Sequence, residues 1–250
     1  MILGLTAAAI ATGIAAALVA GIVRGLAGFG LAILLVPVFG LAATPQEAVV
    51  AANWLGVLMG FAGLRRVVRE AERSAIPISI LAVAATPLGV ILLGLVPAAP
   101  ARVLIAFIAI AAFVAVLLPQ RPIDHRPTRF ETGATGITSG LLTGFAGMPG
   151  PPVVPYYLRR ALPPSTARSS MLLVFFATSL AGASSALALG VADWRAAIIA
   201  LLLWPVAFVG NWIGFKAHDR VGPRTWRIVA GLVLGLAAGG AVLKLVQAGA

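Results

Sequence analysis

Apolar stretches follow one another along this chain with only short polar interruptions, at about residues 4–41, 47–64, 75–96, 101–119, 132–158, 165–189, 194–215 and 225–247. A helix needs roughly 20 apolar residues to cross about 30 Å of hydrocarbon, and most of these runs come close to that length. The pattern predicts an all-α polytopic membrane protein. Two runs, 4–41 and 132–158, are longer than one span and carry glycine and proline in their interiors: RGLAGFG at Arg24–Gly30 and TGFAGMPGPP at Thr143–Pro152. Lipid cannot satisfy free backbone groups, so a broken helix persists there only where protein or a watery cavity surrounds it. Paired breaks, one in each half, are the usual sign of a transporter's central site.

Charge orders these runs across the membrane. The basic connections are Arg65–Arg73, Gln120–Arg129, the pair Arg159 and Arg160, and Lys216 through Arg227. Placing all of them in the cytoplasm, as the positive-inside rule directs, makes each glycine-broken run a hairpin that returns to its starting face. The limbs around Gly147 are too short for two crossings, which favours re-entry there; the run 4–41 is open to either reading. The expected architecture is one membrane domain over 1–250, with repeat one at 1–119, a cytoplasmic linker at 120–131 and repeat two at 132–250. Gly21, Gly25, Ala27 and Gly28 align with Gly140, Gly144, Ala146 and Gly147 at one offset, which Pro45/Pro164 and Ala48/Ala167 share. Pro87 meets Pro205 with a slip of one residue. With the arginine placement, the two repeats come out inverted, each a broken or re-entrant helix hairpin plus three transmembrane helices.

Composition agrees with a lipid environment. The 250 residues are 61% hydrophobic and 10% charged, against about 25% charged in an average soluble domain. The net charge of +11 lies in short blocks between apolar runs, so it reads as topology and not as a nucleic-acid surface. The N-terminus has no basic n-region and is expected to be a retained membrane segment. No cysteine is present, which excludes a thiolate metal site. Glu47, Glu70, Glu72, Asp124, Glu131, Asp193 and Asp219 fall in connections or at helix entrances, as do His125 and His218. The chain therefore offers no carboxylate relay in the membrane, no metal or cofactor site and no nucleophile–base set, and an enzyme is not expected. The five tryptophans lie largely towards run ends and read as interface anchors.

Chemistry gathers at the breaks. A helix N-terminus offers unpaired N–H groups and a partial positive charge, which suit an anion. New helices are expected to start at Leu31 and at Pro151, and glycine would let a ligand approach the backbone. The candidate anion-binding residues are Arg24, Gly25, Gly28, Phe29 and Gly30 at the first break. At the second they are Thr143, Gly144, Gly147, Met148 and Gly150. Arg168, Ser169, Asn53 and Asn211 complete the set. Each has a structural alternative: the glycines pack helices, Arg24 and Arg168 snorkel to headgroups, and the asparagines tie helix to helix.

The segments Gly21–Pro37 (GIVRGLAGFGLAILLVP) and Gly140–Tyr156 (GLLTGFAGMPGPPVVPY) resemble the paired signatures of the TauE/SafE family, over essentially the whole chain. The resemblance implies a multi-pass permease of the bacterial inner membrane that exports sulfite or small organosulfonates. Its matching positions are Arg24, Gly25, Gly28, Phe29, Gly30, Gly144, Gly147, Gly150, Pro151 and Pro152. Pro149 departs from it, standing where another glycine is expected. The expected partners are a small anionic substrate and membrane lipids, with no nucleic acid. A permease for another anion, such as a carboxylate, and a non-transporting membrane scaffold or assembly factor stand as alternatives.

Overall fold

Threonine, glycine and proline set the helix boundaries. The computed structural model describes residues 6–117 and 127–217, and every regular element among them is helical. In order they are α1 (Ala7–Ala27), α2 (Leu31–Phe39), α3 (Pro45–Phe61), α4 (Leu64–Glu70), α5 (Ala75–Leu95), α6 (Ala98–Leu117), α7 (Arg129–Ala146), α8 (Gly150–Leu158), α9 (Pro164–Ala188) and α10 (Trp194–Ala217). Thr44 and Thr128 each open a helix with a reciprocal cap. Their hydroxyls accept from the backbone N–H of Glu47 and Glu131, whose side chains reach back to the threonine N–H. The second cap starts α7 at Arg129, within the segment expected to be linker. The expected final span, 225–247, lies outside the described residues.

The helices α1, α5, α9 and α10 are each long and apolar enough to cross a membrane, and α3 bends by 82° at Gly63 into α4. The short helices α2 and α8 have nine residues each, about 14 Å at 1.5 Å per residue. Neither can cross alone, so each broken run pairs a long limb with a half-length one. Leu34, Leu35, Val36 and Phe39 on α2 are all buried, which accounts for a helix with no polar face. At its far end Arg102 of α6 donates to the carbonyls of Gly40 (2.8 Å) and Ala43 (3.2 Å), satisfying acceptors that a helix end leaves open.

Small residues bring the long limbs against helices from the other half of the chain. A Cβ on Gly21 or Gly25 of α1 would lie 2.4 and 2.2 Å from the carbonyl oxygens of Ala207 and Asn211 on α10. On α7, Gly140 and Gly144 meet the oxygens of Ala82 and Thr86 on α5 at 2.1 and 2.2 Å in the same sense. The glycines of the two pairs are 119 positions apart and their partners 125 apart. Thr86 thus faces Gly144 as Asn211 faces Gly25, a spacing of 125, whereas Pro87 and Pro205 are 118 positions apart.

Polar contacts mark two ends. Beside the C-terminal end of α5, Gln46 donates to Leu93 O (3.3 Å) and Arg195 pairs with Glu47 (3.4 Å); α2 and α3 meet here. Beside its N-terminal end, Arg160 grips Glu72 through 2.7 and 3.2 Å bonds, and the Glu72 N–H donates to Ser170 Oγ (2.8 Å). The short limb α8 finishes at this second end. The basic blocks 65–73 and 159–160 thus share one end of the bundle.

Candidate functional site

At the first break Gly28 adopts φ +82° and closes α1 with an N–H donated to Arg24 O at 2.7 Å; Gly30 follows at φ +99°. Both values lie in the left-handed region that glycine enters without steric cost. Leu34 is the first residue of α2 whose N–H finds a carbonyl, that of Gly30 at 3.3 Å. Leu31, Ala32 and Ile33 precede it, and among the described residues no carbonyl bonds their N–H groups, the donors that a helix start leaves open.

The second break is built differently. Gly147 takes φ +70° and donates to Thr143 O (2.8 Å), while Met148 N–H reaches Leu142 O (3.2 Å). Pro149 is held in a right-handed conformation, with Ser139 Oγ donating to its carbonyl at 3.1 Å. The new helix starts at Gly150, one residue before the expected Pro151. Its first turn is Gly150, Pro151, Pro152, and proline has no N–H. The prolines therefore leave this break fewer N–H donors in its first turn than the first break has.

The breaks lie side by side: a Cβ on Gly150 would be 4.0 Å from Ile33 Cδ1, and one on Gly147 would be 3.4 Å from Val36 Cγ2. Between them and the α3–α9 pair is a partly open cavity, lined from the breaks by Arg24, Phe29, Gly30, Leu31, Ala32, Ile33 and Gly147–Gly150. The facing wall is Ala52, Gly56 and Gly60 of α3 with Leu172, Phe175, Phe176 and Ser179 of α9. Arg24 is the charged residue of this lining. Arg168, one turn before Leu172 on the same face of α9, lies across Gly28 with Nε 3.2 Å from the Cβ position, its guanidinium 5.8 Å from the Phe215 ring centre. The two guanidinium charges repel. Among the described residues neither has a carboxylate within 4 Å.

Of the sequence-predicted residues, Arg24, Phe29, Gly30, Gly147, Met148 and Gly150 come together on this lining, with Gly28 and Arg168 beside it. The others are placed elsewhere. Gly25 and Gly144 sit in helix–helix contacts. Thr143 is fully buried and donates along its own helix to Ser139 O (2.7 Å). Ser169 donates to Glu70 (3.1 Å). Asn53 is buried against Gly182 with its amide unpaired, and the backbone of Asn211 receives Gly25. The α3–α9 wall is the part that sequence reasoning missed. Its signal was helical spacing, Ala52–Gly56–Gly60 on one helix and Leu172–Phe175–Phe176–Ser179 on the other.

At the basic end, Glu72 is held by Arg160 and Ser74, and Ser74 meets the Tyr157 hydroxyl at 3.1 Å. Burial alone would raise the Glu72 carboxyl, but the bonds from Arg160 and Ser74 outweigh it and hold its pKa below the ordinary value. The same bond, against a smaller effect of burial, raises Arg160. Among the described residues no cluster of three or more His, Cys, Asp or Glu could hold a metal ion.

The model of the sulfite exporter TauE/SafE family matches residues 13–241, which takes in both breaks and nearly all of the helices. The chain belongs to this family. A "Probable sulfite/organosulfonate exporter TauE" of Cupriavidus necator is 25% identical over 138 residues, 55% of this chain. The aligned part spans 54% of that TauE protein, about half its length. No solved structure matches.

Proposed function

We propose that this protein is a secondary transporter, an exporter of sulfite or a small organosulfonate across the bacterial inner membrane. The observation that carries the reading is Arg24, a cation without a carboxylate partner among the described residues, lining a cavity that the unpaired amides of a helix start also face. A buried charge is costly unless it is paired, and a small oxyanion would supply the missing charge. Family membership and the name of the Cupriavidus necator relative support the choice of a sulfur oxyanion.

In this reading the oxyanion sits at the start of α2, with its oxygens on the Leu31–Ile33 amides and on the Arg24 guanidinium. The halves are inverted repeats, which is supported by α2 and α8 finishing at opposite ends of α5. Rocking of one half on the other, across the α3–α9 contact, opens the cavity to each face in turn.

The test is current on a solid-supported membrane bearing the purified protein. Sulfite, taurine, isethionate and sulfoacetate are applied as concentration jumps, with acetate as the carboxylate comparison. A current evoked by a sulfur oxyanion and lost in Arg24→Gln is the expected result. Silence across the sulfur anions from a folded protein would refute the proposal, and a response to acetate alone would move it to carboxylates.

A further inference from the structure

The two breaks occupy matching places in the duplicated packing, yet the charge lies on one of them. The side chain over Gly28 is Arg168; 119 positions on from the glycine, Gly147 instead has the backbone oxygen of Val49 at 3.5 Å from its Cβ position. Arg168 and Val49 are also 119 positions apart. Thr143 stands at the place of Arg24, buried and bonded within its helix. Pro149 stands at the place of Gly30. The first break thus has two guanidinium groups beside it and a helix start without proline, the second no charge and two prolines in its first turn. Beside the second break Phe175 Cζ comes within 3.9 Å of the Gly150 Cβ position; Met148, Leu172 and Phe176 also line the cavity, with Ser179 its polar residue on α9.

We infer that the two breaks divide one ligand between them. The first takes its anionic head, and the second, with Phe175 and Leu172, forms an apolar seat for a carbon substituent. The inference rests on the anion reading above and narrows it to an organic monoanion with its charge at one end, bound in preference to the bare inorganic ion.

Calorimetric titration of the purified full-length protein tests this with sulfite and the methane-, ethane-, propane- and butanesulfonates. Each methylene that enters the seat is worth about 0.8 kcal/mol, or about fourfold in affinity, so binding should tighten in steps until the seat is full. Phe175→Ala should flatten that dependence. Arg24→Gln should weaken the whole series by a common factor and keep the slope. Affinities in the natural protein that ignore chain length, or that are highest for sulfite, would overturn the inference while the anion reading stands. So would a slope that survives both Phe175→Ala and Leu172→Ala. Absence of binding by every member would remove both.

Discussion

Gly25 and Gly144 were candidates for ligand contact, and the structure makes each of them a close helix crossing. Alanine at either position puts a Cβ 2.2 Å from a carbonyl oxygen on the facing helix. Ordinary contact begins near 3.4 Å, so α1 and α10, or α7 and α5, would have to part by about 1 Å along that line. The obstacle is backbone, which has no rotamer to swing away. Overpacking of this kind costs about 1–3 kcal/mol, which for a chain of this length lowers Tm by roughly 2–10 °C. Gly133 is the control, because a Cβ there meets nothing within 4 Å, and Gly133→Ala should leave Tm unchanged or slightly raised. Thermal unfolding in detergent without added anion, followed by tryptophan emission, reads all three variants. A loss of stability in Gly25→Ala and Gly144→Ala alone is the expected outcome. The packing argument is refuted if both keep the Tm of the natural protein, and a loss of anion affinity at unchanged Tm would return them to the binding site.

Gly30→Ala forces a side chain into φ +99°, with Val23 Cγ1 only 3.1 Å from the new Cβ. It should cost at least about 1–2 kcal/mol and weaken anion affinity with it, both measurable by thermal shift with and without anion. Arg102→Gln removes the charged donor on the Gly40 and Ala43 carbonyls, and a loss of about 1.5–3 kcal/mol is expected in detergent unfolding; an unchanged midpoint would show that water replaces it. Glu72→Gln tests the end cluster through pH. Because the folded-state pKa of Glu72 is depressed, its stabilisation is present above the ordinary value of 4.5 and is lost as pH falls through the folded value. The variant should therefore melt below the natural protein at pH 7 and converge with it once the pH has fallen through that folded value. A gap independent of pH would point to packing instead of charge.

Much of this fold is readable from local chemistry. Left-handed glycines at 28, 30 and 147 and apolar runs between arginine blocks are short-range signals, and they located the breaks and the helices around them. The thinness of the second break is written in Pro149, Pro151 and Pro152, since each proline removes a donor. What stayed hidden depends on partners distant in sequence. Gly25 and Gly28 lie in one short motif, but one meets the backbone of Asn211 and the other the side chain of Arg168. Ala52, Gly56 and Gly60 have the spacing of any small-residue helix seam, and only the facing α9 makes them a cavity wall. The α7 start at Arg129 was signalled by Thr128 and Glu131, a polar spacing that a hydropathy window passes over.

The crossing of α1 with α10 has a consequence for biosynthesis. Its first helix emerges from the ribosome almost the whole length of the chain before Gly210 and Gly214, the residues that receive Leu18 and Ile22. During that interval the glycine seam of α1 faces lipid or a temporary escort. A nascent chain stalled before residue 214 should therefore leave α1 open to insertion chaperones and quality-control proteases, and completion of α10 is the step that releases it.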